Sequence, residues 1–333
     1  MLFTTFLPNF AGLLGLVLAS LNSPSRGESL ATILQHVHLD DFADRTEGKA
    51  GTGTTLNLTE IVVGRCWDYQ RVTGMEKGKP DSQVDCDNTA WPAFVKAFAY
   101  KDPCSTPDDA FRDFILTMTV NLPMDGTIFW SGTKYLAMMY SMLSGGTMFS
   151  LETTFLGYTV DGLTWCGATT GGQQGINYHH CPPFADPSCE SSVSKVFWGA
   201  ASMAFAKQAR GRVTVLLNGS DPGGAFRNNS FFATIELPNL KTSAVDLVNI
   251  IVVHDLDGQV VDTCDTGTVK TLKNRIAHRG LKWTCQDDPR LARLILCTEN
   301  LDNEKCSLAS KTHLGWYLIV FAFATVLWTI EFG

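Results

Sequence analysis

Residues 212–255, "RVTVLLNGSDPGGAFRNNSFFATIELPNLKTSAVDLVNIIVVHD", decide the fold of this chain. Three short runs within them, "RVTVLLN" (212–218), "FFATIEL" (231–237) and "LVNIIVVHD" (247–255), are rich in β-branched and aromatic residues and read as strands. The next segment, "TVKTLKNRIAHRG" (268–280), has the spacing of an amphipathic helix closed by Gly280, and "LKWTC" (281–285) reads as another strand. Strand–helix–strand order predicts a small parallel sheet with helices on its faces. One residue is out of place in this scheme. Glu236 puts a carboxylate inside an apolar run. Taken alone it reads as a solvent-facing acid on an edge strand; the alternative is a strand-end acid in a cleft, placed there for chemistry.

Upstream of Gly211 the texture is helical. "LTEIVVGRC" (58–66), "AWPAFVKAFAY" (90–100), "LAMMYSMLSG" (136–145) and "SKVFWGAASMAFAKQA" (194–209) carry apolar residues at i, i+3, i+4 spacing. "DPCSTPDDAFRDFILTM" (102–118) predicts a turn and then a helix starting near Thr106–Pro107, a suitable cap and first-turn pair. "TIFWS" (127–131) is a short strand candidate, and residues 30–60 hold a loose helical pattern. The patch "GKAGTGTT" (48–55) is a loop and not a phosphate loop, since the closing Gly-Lys-Ser/Thr and a preceding strand are both missing.

The 333 residues carry a net charge of −7 with no basic stripe, which excludes a nucleic-acid partner. The apolar N-terminus reads as a signal peptide over residues 1–25, although it lacks a basic leader region. The apolar tail within residues 307–333 is followed by no Lys or Arg, so a glycolipid-anchor signal is expected there, with a retained single span as the alternative. Ten cysteines, an even count with no CxxC pair, fit an exported protein with five disulfides and no zinc ribbon. In that setting Asn57, Asn218 and Asn228 are glycosylation sequons. His179 and His180 have no third ligand at useful spacing and read as loop residues, and "HDLDGQ" (254–259) is too short and sparse for a calcium loop.

Several segments in order, "TEIVVGRCWDY", "IFWSGTKYLA", "MFSLETTFLGYTVDGLTWCG", "INYHHCP", "VSKVFWGAASMAFA", "VTVLLNGS" and "SFFATIELPNL", resemble the ADP-ribosyl cyclase family from about Leu56 to Cys306. The resemblance implies the pairs Cys66–Cys86, Cys104–Cys189, Cys166–Cys181, Cys264–Cys285 and Cys297–Cys306. Some relatives carry a sixth bridge; here both of its positions are changed together, to Met124 and Arg210. It also implies an α+β fold: a mainly helical lobe (31–123 with 150–209), an α/β lobe (124–149 with 210–306) around a four-stranded parallel sheet, and an active-site cleft between them.

The implied activity is NAD glycohydrolase/ADP-ribosyl cyclase. The nicotinamide–ribose bond of NAD breaks through an oxocarbenium-like transition state, giving cyclic ADP-ribose, ADP-ribose or both. Base exchange on NADP is a further implied reaction. No cofactor is needed, because NAD is the substrate. By resemblance Glu236 is the catalytic carboxylate, and Trp198 and Trp130 wall the nicotinamide slot. Glu152 contacts the carboxamide, and Asp161 lies near the same ring. Ser131 and Ser202 surround phosphates and ribose. Phe231 favours cyclisation, whereas Lys134 is linked to hydrolysis of the cyclic product, which together point to a mixed enzyme. Gly132 stands where a relative has Arg. Two other readings stay open: a glycohydrolase with negligible cyclase activity, and a non-catalytic surface receptor on the same scaffold. A homodimer is also open. The cleft is expected to face the cell exterior or a vesicle lumen.

Overall fold

The computed structural model describes residues 53–73, 83–171, 174–184, 186–300 and 302–306. The expected signal peptide, most of the 30–60 helical pattern and the expected anchor signal lie outside the described residues. Four strands, β1 (Thr127–Ser131), β2 (Gly211–Asn218), β3 (Val245–Val253) and β4 (Lys282–Asp287), form one sheet in the order β1-β2-β3-β4, and every pairing is parallel. Among the described residues, eight α-helices longer than one turn surround it: α1 (Leu58–Asp68), α2 (Trp91–Phe98), α3 (Arg112–Met118), α4 (Lys134–Leu143), α5 (Phe155–Val160), α6 (Val193–Gln208), α7 (Gly267–His278) and α8 (Arg290–Cys297).

β1, β2 and β3 are largely apolar because both of their faces are covered, whereas the edge strand β4, KWTCQD, is mostly exposed. Phe129, Val213, Val215, Leu217, Val248, Ile250 and Val252 join the main core, which includes Ala201 and Phe205 of α6 and Leu272 and Ile276 of α7. Their neighbours Ile128, Leu216 and Ile251 face the other way, onto Leu136, Ala137 and Met139 of α4 and Ala292 and Ile295 of α8. An aromatic cluster centred on Phe94 and Phe197 ties α2, α3, α6 and Trp165 together.

Two elements differ from the sequence expectation. The run Phe231–Leu237 is not a strand. Residues Phe232–Glu236 form a π-helical turn that continues into Leu237–Asn239. β2 and β3 are parallel neighbours, so the chain between them must cross over a face of the sheet. Both edges of β2 are already taken by β1 and β3. The buried residues Phe232, Ala233, Glu236, Leu237 and Leu240 fall at helical spacing, and Phe232 packs against Phe129 and Phe226. A seven-residue apolar run carries either period, and here burial against a sheet face decides. The second difference is α3, which begins at Arg112 rather than near Thr106–Pro107; residues 108–111 are turns.

All five disulfides are those the resemblance implies, with Cα separations between 4.9 and 5.9 Å. At the positions of the absent sixth bridge, Asp125 N donates to Arg210 O at 3.1 Å and the Arg210 guanidinium donates to Leu122 O at 2.9 Å.

Candidate active site

The site is built at the C-terminal end of β1 and the elements around it, as expected for a parallel sheet. Trp130 and Ser131 are the last residues of β1, and Lys134 opens α4 two residues after Gly132. Glu152 sits in a 3-10 turn, Leu151–Thr153, and Asp161 caps the end of α5. Trp198 and Ser202 lie one helical turn apart on α6, hence on one face. Glu236 closes the π-helical turn, and this is the correction to its expected location: a helical turn, not a strand end, aims it. Such widened turns recur at functional sites, because one extra residue rotates a side chain out of the ordinary helical register.

The structure brings Trp130, Glu152, Lys134, Asp161, Ser202 and Glu236 together. The Trp130 indole N–H donates to both Glu152 carboxyl oxygens, at 3.0 and 3.1 Å. Lys134 Nζ meets Asp161 Oδ1 at 2.7 Å, and Arg65 donates to the Asp161 backbone carbonyl, also at 2.7 Å. Ser202 lies beside Glu236 and favours its ionised form, which brings α6 next to the acid. Glu152, Asp161 and Glu236 are 5, 7 and 7 % exposed. Burying three carboxyls beside one lysine is costly unless something offsets their charge. Glu236 shows the consequence: burial pushes its carboxyl up to about 8, the charge of Glu152 pushes the same way, and Ser202 pulls back. Glu152 is also held above the usual carboxylate range, first by burial and then by Asp161, against the pull of Lys134. A cluster of side chains with this excess of acid favours a ligand that carries, or develops, positive charge.

Phe231 precedes the π-helical turn, and its ring packs against Phe184 with centroids 5.6 Å apart. Phe184, from the loop after Cys181, is 46 % exposed. No local pattern singles it out, since a lone aromatic in a Pro-rich loop carries no period. Arg65 was missed for the same reason: on α1 it reads as an ordinary helical cation. Ser131 is buried and its hydroxyl has no hydrogen-bond partner in the protein. Asn57 is exposed, whereas Asn218 is half-buried at the end of β2, with its Oδ1 accepting from Ser220 N at 2.8 Å. The exposed Asn228 accepts from Arg275 at 2.9 Å. His179 and His180 lie in a loop, and His254 is pinned between Asp288 and the Asp262 carbonyl. Among the described residues no group of three or more His, Cys, Asp or Glu side chains is placed to hold a metal ion.

A family model described as ADP-ribosyl cyclase matches residues 55–306. The ADP-ribosyl cyclase/cyclic ADP-ribose hydrolase of Aplysia californica is 34% identical over 258 residues, 77% of this chain and 89% of that protein. ADP-ribosyl cyclase/cyclic ADP-ribose hydrolase 2 of Homo sapiens is 31% identical over 260 residues, covering 78% of each chain. Among solved structures, Aplysia cyclase complexed with substrate NGD and product cGDPR superposes with a TM-score of 0.70 at 32% identity, over 77% of this chain and 99% of that one. Porcine CD38 with a covalent intermediate gives a TM-score of 0.63 at 36% identity, over 71% of this chain and 98% of that one.

Proposed function

The chain belongs to the ADP-ribosyl cyclase family, and on that premise we propose that it breaks the nicotinamide–ribose bond of NAD to give nicotinamide with cyclic ADP-ribose, ADP-ribose or both. The observation that carries this reading onto these residues is the buried acid pair, Glu236 and Glu152, whose charges act on each other, with Glu152 accepting from the indole of the expected slot residue Trp130.

The nicotinamide of NAD is a pyridinium cation, and it is held between Trp130 and Trp198 with the carboxamide at Glu152. Its positive charge favours the ionised form of Glu236, so substrate entry itself readies the acid. The carbon–nitrogen bond then breaks. Its electron pair goes to the pyridine nitrogen, which leaves neutral, and the positive charge passes to the ribosyl carbon. Glu236 stabilises that cation or captures it covalently. Water attack gives ADP-ribose and a proton. Attack by the adenine N1 gives the cyclic product. The Phe231–Phe184 pair beside the turn supports a ring surface against which adenine folds back, and so supports real cyclase activity alongside hydrolysis. Base exchange on NADP belongs to the same chemistry, with another pyridine as acceptor. The site needs no metal or prosthetic group for these steps.

The five disulfides support an oxidising compartment. We place the cleft on the outer face of the plasma membrane or in a vesicle lumen, held by a glycolipid anchor. The test is direct: purified protein is incubated with NAD or its guanine analogue, and nicotinamide, cyclic and linear products are resolved. Glu236→Gln is expected to lower turnover by at least ~10³-fold with circular dichroism unchanged. Near-normal turnover in that variant rejects the assigned role.

A further inference from the structure

The slot explains the cationic end of the substrate and leaves its anionic end without a partner. A dinucleotide carries two negative charges on its pyrophosphate, and the groups around the slot are acids, with Lys134 already engaged to Asp161. A cation suited to the pyrophosphate stands at the end of β1. Gly132 follows Ser131 with φ +72°, a conformation that glycine adopts readily. A side chain there would start 3.2 Å from Asn218 Cβ, 3.8 Å from Asp221 Oδ2 and 3.9 Å from Arg227 Nη2. The space in front of the strand end is therefore faced by a guanidinium that comes from the β2–β3 crossover. Arg227 Nη1 pairs with Asp221 at 3.4 Å, and Asp221 is itself anchored by Gly223 N, which donates to its Oδ1 at 2.8 Å. One edge of the fork is thus held, and the other points toward Gly132.

A second observation points to a ligand at the same place. Ser131 is 3 % exposed, and its hydroxyl has no hydrogen-bond partner in the protein. Such a group is expensive to bury unless it is satisfied on binding. Strand alternation puts Ser131 on the face of Phe129, which packs against Phe232 of the turn carrying Glu236.

We propose that Arg227 is the residue that holds the pyrophosphate of the substrate across Gly132, with the Ser131 hydroxyl donating to the same group. The proposal rests on the NAD-cleaving reading above and adds the residue that positions the dinucleotide. Asp221 keeps the guanidinium in place, and bound phosphates supply a stronger, bidentate acceptor. An exposed ion pair with only a surface role would not touch substrate affinity.

The test is the kinetics of Arg227→Ala and Arg227→Lys with three readouts: KM for NAD, inhibition by ADP-ribose, which carries the pyrophosphate, and inhibition by nicotinamide, which does not. For Arg227→Ala we expect KM for NAD and the ADP-ribose inhibition constant each to rise at least about tenfold, the loss of one charge-assisted contact. We expect the nicotinamide constant to stay within about twofold and kcat within about threefold, with Arg227→Lys intermediate. An unchanged KM and ADP-ribose constant in an active variant overturns the assignment, as does equal weakening of ADP-ribose and nicotinamide. Wild-type protein that releases no nicotinamide from NAD overturns instead the functional reading underneath.

Discussion

Glu236→Gln removes an ionisable group whose burial sets a measurable pH dependence of stability. In the unfolded chain this carboxyl titrates near 4.5, and in the fold it is pushed up to about 8. Below 4.5 it is protonated in both states and has no effect on the balance. As pH rises, the unfolded chain ionises while the fold holds the proton, so stability falls until the folded carboxyl also ionises near 8. Each unit of difference is worth about 1.4 kcal/mol, so the wild type loses on the order of 3 kcal/mol between pH 5 and pH 8 through this group alone. Gln keeps the shape and an oxygen for Ser202, and has nothing to titrate. The variant should therefore gain on the wild type as pH rises, by about 6–12 °C in relative melting temperature between those two pH values. The assay is thermal unfolding of both proteins, without ligand, at closely spaced pH. Groups common to both proteins cancel in the difference. Parallel curves, agreeing within ~1 kcal/mol across the range, would show that Glu236 is not desolvated in the folded state, and the raised acid in the mechanism would go with it. The gain in stability should accompany the loss in turnover, as at sites whose strain serves chemistry.

In the free enzyme the acid limb of kcat/KM should fall with an apparent pKa near 8, whereas the limb of kcat, which reports the bound complex, should lie lower because the pyridinium favours the carboxylate. Glu152→Gln removes a like charge that raises Glu236, so the kcat/KM limb should move to lower pH; an unmoved limb would show that the two acids are not coupled. Phe231→Thr removes the ring that packs on Phe184 and should lower the ratio of cyclic to linear product by at least about threefold with total NAD consumption largely kept, read by chromatography. Met124→Cys with Arg210→Cys should form a sixth disulfide, detected by mass spectrometry under non-reducing conditions, because backbone pairing of Asp125 with Arg210 already aligns the two segments.

The period of the apolar residues located most elements: β1 at 127–131, β2 and β3 as unbroken β-branched runs, α6 over 193–208, and α7 closed by Gly280 at φ +75°. It failed at 231–237, where the run is too short to distinguish a strand from a helical turn, and at the start of α3. Most of the site was legible only because an ordered set of short segments resembles a known family. Glu152, Asp161 and Trp130 taken singly read as a first-turn acid, a turn acid and a core aromatic.

By itself the sequence determined most of the helical and extended segments, that ten cysteines can pair without remainder, and which acids and indoles are candidates. Tertiary structure alone decided that Glu236 rides on a π-helical turn, that Trp130 holds Glu152, and that Arg227 reaches over Gly132. The reason is physical. Period is a local property, set by the geometry of neighbouring residues, whereas desolvation and charge coupling arise between groups such as Glu152 and Glu236, far apart in the chain, that share a water-poor space only once the fold has closed around them.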